Sequence, residues 1–228
     1  MILIFDLDDT LYSETEFVKG GFRAVARYAN IKWGWNYKKS ISTLNKIFTN
    51  NDRNKVFDHW LIINDNWSKK NIDKLIQVYR YHNPKINLFN SAKKILKKYK
   101  NATPLYLVTD GNKNVQSHKI NSLNLWTIFN RIFITHRYGY EAAKPSIHCF
   151  KIIKRLTGVK WSEMIYIGDN PKKDFINLNK IGVFTIRVLT GSYKNLKVSK
   201  NYEANVRIMS LDDLPSVLNN RYHNHIKK

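Results

Sequence analysis

The first residues that could do chemistry stand close to the N-terminus. Ile2–Tyr12 reads I-L-I-F-D-L-D-D-T-L-Y, so an apolar run meets Asp6, Asp8 and Asp9 and then Thr10. An apolar run that ends abruptly in charge is the pattern of a buried strand whose C-terminal end meets solvent. On an extended chain Asp6 and Asp8 point to the same side. Two carboxylates held that close repel, and one protonates unless a cation stands between them. All-oxygen ligands suit Mg²⁺.

Three later stretches also close apolar runs or open helices with polar residues. Leu105–Val108 leads into Thr109-Asp110-Gly111, Met164–Ile167 leads into Gly168-Asp169-Asn170, and Lys144-Pro145 precedes a helical pattern. Taken singly, Asp9, Asp110 or Asp174 reads as a cap or turn residue. Lys144 alone is one lysine among many. Taken together they differ, because no packing rule asks for these residue types at several converging strand ends.

The elements that must position them alternate from about residue 86 onward. Helical patterns over Ser91–Lys100, Val115–Leu123, Ser146–Leu156 and Lys172–Ile181 separate strand patterns at Leu105–Val108, Arg131–Thr135, Met164–Ile167 and Val183–Val188. Val206–Met209 and Leu211–Leu218 complete the series, and Asn219–Lys228 reads as a frayed polar tail. Such alternation predicts an α/β fold, a doubly wound parallel sheet with helices on both faces. Residues 13–82 show no strand alternation and read as an all-helical insertion closed by Asn83-Pro84, with Gly20-Gly21 breaking the first helical pattern. The predicted organisation is a core of residues 1–12 plus 83–228 and a helical domain of residues 13–82. Ligands of open α/β sheets lie outside the carboxyl ends of the strands, where Asp6, Asp8, Thr109 and Asp169 are expected.

These residues resemble the four motifs of haloacid-dehalogenase-superfamily phosphohydrolases. Asp6-Leu7-Asp8-Asp9-Thr10 matches Asp-x-Asp-x-Thr, and Thr109 matches the Thr or Ser that ends a hydrophobic strand. Lys144 before Pro145 matches the motif lysine. Gly168, Asp169 and Asp174 match G-D-x-x-x-x-D. The motifs occur in order and span the whole predicted core, and the helical insertion resembles the family's cap between its first and second motifs.

The resemblance implies a Mg²⁺-dependent phosphatase of a small phosphorylated metabolite, a sugar phosphate or nucleotide monophosphate, working through an aspartyl-phosphate. It implies Asp6 as nucleophile, Asp8 as acid and then base, and Thr109 and Lys144 as further catalytic groups. Thr109, Asp110, Asn112 and Lys144 are the expected substrate contacts, with Lys113 and Gln116 nearby. The expected metal ligands are the Asp6 carboxylate, Asp8 through its main-chain carbonyl, and Asp169. Asp174 either adds a ligand through water or orients Lys144. Asp8 sets the chain apart from carbon–halogen-cleaving relatives, which lack an aspartate there; a sugar phosphomutase of the same fold keeps it and is the alternative.

In the helical domain Arg23, Arg27, Arg53, Lys55 and His59 rank below these as substrate contacts. Trp33, Trp35, Trp60 and Trp67 read mainly as packing residues.

The remaining numbers bound the answer. No apolar run reaches the ~20 residues of a membrane helix, and the N-terminus has no signal-peptide pattern, so the expectation is a cytoplasmic protein without a membrane partner. The single cysteine, Cys149, excludes an intrachain disulfide and reads as a small packed residue. The formal net charge of +22 raises nucleic acid as a partner, on an inactive phosphatase scaffold. Its lysines are spread rather than clustered, which ranks that reading below a small anionic phosphate ester. The many aromatics allow a homodimer without requiring one, so the expected state is a monomer or a homodimer.

Overall fold

In the computed structural model, which describes residues 1–50 and 55–226, the apolar runs pair side by side. Strands β1 (Ile2–Phe5), β2 (Leu105–Thr109), β3 (Arg131–Ile134), β4 (Met164–Gly168), β5 (Phe184–Val188) and β6 (Val206–Ile208) form one sheet in the order β3-β2-β1-β4-β5-β6. All five pairings are parallel. Every residue of β1, β2 and β4 is buried, as continuous apolar runs in a sheet covered on both faces require. Ile2 and Ile4 share one core cluster with Tyr106, Val108, Met164 and Tyr166 from the neighbouring strands. The α/β fold with a doubly wound parallel sheet and a helical segment between its first two strands is the one the sequence predicts. The strand order reverses at β1, with the chain going one way to β2 and the other way to β4, and such a reversal opens a crevice at the strand ends.

The helices are α1 (Glu14–Trp33), α2 (Tyr37–Asn50), α3 (Val56–Ile63), α4 (Lys69–Arg80), α5 (Asn90–Tyr99), α6 (Lys113–Ser122), α7 (His148–Thr157), α8 (Ile176–Lys180) and α9 (Leu214–Ile226). None of the described helices is long and apolar enough to cross a membrane. The chain divides into two compact units, Met1–Glu14 with the chain from Ile86 onward, and Thr15–Lys85.

The helical unit has its own core, built from Val18, Phe22, Val25, Leu44, Ile47, Trp60, Leu61 and Leu75. Trp33, Trp35 and Trp60 pack on one another, with ring centroids 4.7 Å and 5.0 Å apart along the row, while Trp67 is exposed. Arg53 lies outside the described residues. Helix α1 runs unbroken through Gly20-Gly21, against the expected break. The reason is tertiary: a Cβ on Gly21 would lie 2.3 Å from the Tyr79 ring, so the glycine lets α4 approach.

Two elements of the sheet unit also differ from expectation. The segment expected to be helical from Lys172 is first a turn, in which the Asn170 carbonyl accepts from the Lys173 and Asp174 N–H groups, and α8 starts only at Ile176. The C-terminal tail is helical to Ile226 rather than frayed from Asn219. Leu214 and Leu218 bury its first turns, and Arg221 donates to the Ser162 carbonyl at 2.7 Å. Cys149 is buried on α7, and burial pushes its thiol up to about 11, so it stays a neutral packing group.

Candidate active site

Strand β1 ends at Phe5, and the chain then turns. The Asp6 N–H still donates to Ile167 O at 2.8 Å, which fixes Asp6 at the β1–β4 seam. Leu7 and Leu11 are buried and anchor the turn from below. Asp9 adopts φ 53°, a left-handed conformation that aspartate tolerates better than most residues. Its Oδ1 accepts from the Glu14 N–H at 2.9 Å, so Asp9 caps the start of α1, and its Oδ2 accepts from the Ser192 N–H at 3.2 Å.

Beyond Phe5 the two-residue alternation of a strand no longer applies, and Asp6 and Asp8 part. Asp6 joins Asp169 and Asp174, all buried, with one carboxylate oxygen from each within 4.8 Å of the others. The Asp8 carboxylate lies outside that cluster. It accepts from Tyr12 Oη at 2.5 Å, Lys119 Nζ at 2.7 Å and Gln116 Nε2 at 2.9 Å. The shared side-chain cation expected from the extended spacing is therefore replaced by two separate environments.

Lys144, 7% exposed, enters the acidic cluster from the loop before α7. Its Nζ donates to Asp6 Oδ1 at 2.6 Å, to Asp174 Oδ1 at 2.8 Å and to Tyr166 Oη at 2.8 Å. Asp174 is held further by the Tyr166 hydroxyl at 3.0 Å and the Asn170 N–H at 2.9 Å, so it both fixes the Lys144 ammonium and contributes an oxygen to the three-carboxylate cluster. A Cβ on Gly168 would lie 2.6 Å from Asp174 Oδ2, which explains why glycine closes β4.

Thr109, the last residue of β2, accepts from Gln116 Nε2 at 2.6 Å, leaving its own hydroxyl hydrogen to point elsewhere. Asp110 accepts from Thr135 Oγ1 at 2.8 Å, the Lys144 N–H at 3.0 Å and Lys173 Nζ at 3.2 Å. It thus ties down the loop that carries Lys144. Asn112 is exposed and caps α6, accepting from the Asn114 and Val115 N–H groups. Lys119 has no place in the sequence analysis. The signal available was its spacing, three residues after Gln116 on one helix face.

Electrostatics separates the two groups of carboxylates. Burial, reinforced by Asp174 and only partly offset by Lys144, pushes Asp6 up from 3.8 to about 7. Burial, with Asp174 and Asp6 adding to it, pushes Asp169 up to about 9. Burial also acts on Asp8, but Lys119, Tyr12 and Gln116 outweigh it and hold the carboxyl below its ordinary value. For Lys144, burial opposes the charge, yet Asp174 and Asp6 overcome it and hold the ammonium well above its usual range. Three buried carboxylates against one ammonium leave negative charge that a divalent cation offsets. The all-oxygen donor set fits a hard ion such as Mg²⁺, and Asp6 and Asp169 are the members whose ionised forms such an ion favours.

Similarity to known proteins agrees with this arrangement. The family model described as haloacid dehalogenase-like hydrolase matches residues 3–188. A glyceraldehyde 3-phosphate phosphatase of Methanocaldococcus jannaschii is 28% identical over 226 residues, 96% of each chain. Another of the same name from Methanopyrus kandleri is 26% identical over 86% of each. Among solved structures, the magnesium-bound HAD hydrolase YfnB of Bacillus subtilis superposes with a TM-score of 0.71 at 20% identity, covering 96% of this chain and 98% of its own. With the family model running from β1 through β5 and over every clustered carboxylate, the chain belongs to the haloacid dehalogenase-like hydrolases.

Proposed function

We propose that this chain is a Mg²⁺-dependent phosphatase of a small phosphorylated metabolite, working through an aspartyl-phosphate on Asp6. The observation that carries the reading is the convergence of Asp6, Lys144, Asp169 and Asp174 in one buried cluster, with Asp8 held apart from it. In the first step Asp6 attacks phosphorus, the ester P–O bond breaks, and Asp8 protonates the leaving oxygen. In the second, Asp8 takes a proton from the water that attacks the phosphoryl group, and phosphate leaves. Thr109, through its hydroxyl hydrogen and the backbone N–H groups that follow, and Lys144 hold the phosphoryl oxygens; Asp110 fixes the Lys144 loop. Asp6, Asp169 and the Asp8 carbonyl would hold the Mg²⁺ ion, which when bound supplies positive charge to the phosphoryl group. By analogy with the family's helical insertion, this reading assigns the choice of ester to the unit Thr15–Lys85.

The archaeal relatives support a three-carbon phosphorylated aldehyde as the first ester to test. The experiment is a screen of phosphorylated metabolites for phosphate release, headed by glyceraldehyde 3-phosphate, with Asp6→Asn as control. Release by the wild type alone is the expected result. Equal release by Asp6→Asn removes the nucleophile assignment.

A further inference from the structure

The helical unit carries a pocket of about 390 Å³, and every residue lining it belongs to Thr15–Lys85. Arg23 and Arg27, one turn apart on α1, share it with Tyr37 from the start of α2 and Lys85 from the segment after α4. No acidic residue lines it. Among the described residues, Arg23, Arg27 and Lys85 form no ion pair elsewhere either. Like charges four residues apart on a helix repel and weaken it, and an anion between them relieves that repulsion. Gly20 keeps the space open. A Cβ there would lie 2.9 Å from His82 Nε2 and 3.9 Å from Arg23 Nη2, between the imidazole and the guanidinium. The imidazole is fixed in place: His82 is buried, its Nδ1 lies 2.6 Å from Tyr79 O, and its ring packs on Phe17 with centroids 4.6 Å apart.

We propose that this pocket binds a small phosphate monoester, its phosphate held by Arg23, Arg27 and Lys85 and its organic part against the rings of Tyr37 and His82. Guanidinium forks match the oxygens of a phosphate group, and the Tyr37 hydroxyl is a further donor. The volume lies at the lower end of the roughly 300–1,000 Å³ of small-molecule pockets. A phosphate ion fills only part of it, which leaves room for a short carbon chain. The inference goes beyond the phosphatase reading and does not rest on it, because no lining residue belongs to the catalytic or metal-holding set and no cation is required. A solvated basic face has a different signature. Its attraction for anions follows net charge, is screened by salt, and does not depend on which exposed cations are removed.

The test is calorimetric titration of the full chain with glycerol 3-phosphate, in EDTA and about 0.15 M salt. Without a cation the buried carboxylates of the catalytic cluster repel phosphate, so binding there is not read. Three proteins are compared: wild type, the double variant Arg23→Ala/Arg27→Ala, and Lys93→Ala/Lys97→Ala, which removes the same charge from exposed positions of α5. The wild type is expected to bind one equivalent. The arginine variant should bind at least about tenfold more weakly, the scale of a lost charge-assisted hydrogen bond, and the lysine variant within about twofold of wild type. Inorganic phosphate, titrated in parallel, should bind more weakly than the ester. No saturable binding by the wild type, equal losses in the two variants, or inorganic phosphate binding as tightly as the ester overturns the proposal. Thermal unfolding is followed alongside, and if the double variant does not fold, Arg27→Gln carries the same comparison. A wild type that binds the ester in EDTA but releases no phosphate from any metabolite with Mg²⁺ overturns the phosphatase reading and leaves this site standing.

Discussion

Lys144 Nζ stands 2.6 Å from Asp6 Oδ1, and both groups are buried. A lysine 138 positions after Asp6 in the sequence thus puts a positive charge directly on the residue proposed to attack phosphorus. Removing one partner of a buried ion pair leaves the other charge uncompensated and costs about 3–5 kcal/mol. Lys144→Met exposes two carboxylates to that cost, because Asp174 loses the same donor.

The variant is expected to unfold at lower urea concentration than the wild type in EDTA, and to regain part of the difference with Mg²⁺. Its phosphate release is expected to fall by about 10²–10³-fold, the scale of one lost electrostatic donor. Paired urea melts and phosphate assays read both. An unchanged melt would mean that the pair contributes nothing to the folded state.

The raised carboxyls predict how stability varies with pH when metal is removed. Asp6 and Asp169 move from 3.8 to about 7 and about 9 on folding, so the folded chain holds their protons more tightly than the unfolded chain does. The stability linked to them is complete below about pH 4 and is lost as pH rises through 7 and 9. Asp8 and Asp110 are depressed and act in the opposite sense, but only as pH falls below their ordinary value. Between pH 4 and pH 9 the melting temperature in EDTA should therefore fall, and the gain on adding Mg²⁺ should grow with pH. A stabilisation by Mg²⁺ that shrinks as pH rises would contradict this assignment of the cation site.

Asp6, Thr109, Lys144, Asp169 and Asp174 are legible in the sequence because their types and order are local facts, standing at element ends that apolar runs mark out. What depends on burial is not legible there. Among 39 lysines and arginines nothing singles out Lys119, and only the packed helix α6 shows that its ammonium lies on Asp8. The direction of the Asp8 side chain is likewise not a local fact. The strand ends at Phe5, so two-residue alternation does not set where Asp6 and Asp8 point. Asp110 is bonded to the Lys144 loop and Asn112 to its own helix start. The Asn112 bonds are local, whereas the Asp110 partners Thr135, Lys144 and Lys173 lie in segments that the primary sequence does not bring together.

A third prediction concerns the loop that braces the first motif. Gly191 has φ 63°, and a Cβ there would lie 2.1 Å from the Asp9 carboxylate, so both backbone conformation and space exclude a side chain. Thr190 adds a bond from its hydroxyl to the Asp9 carbonyl. Gly191→Ala should push Asp9 from the Glu14 and Ser192 N–H groups and cost about 1–3 kcal/mol, the scale of a strained left-handed residue. Urea unfolding measures it, and an alanine variant as stable as the wild type would show that the 190–192 loop yields instead.

The fourth prediction turns on sign. Glycine inside a helix normally destabilises it by about 0.5–1 kcal/mol relative to alanine, so Gly21→Ala in α1 would ordinarily help. Here the added methyl would meet Tyr79 ring atoms at 2.3 Å and 2.4 Å, within the core of the helical unit. Those are ring atoms packed against Phe17, Phe22 and Phe57, which limit how far the tyrosine can retreat. Overpacking of a tight core costs typically about 1–3 kcal/mol, which exceeds the propensity gain. Gly21→Ala should therefore lower the melting temperature, and a variant that melts higher would mean that helix propensity, rather than the close approach of α1 and α4, decides this position.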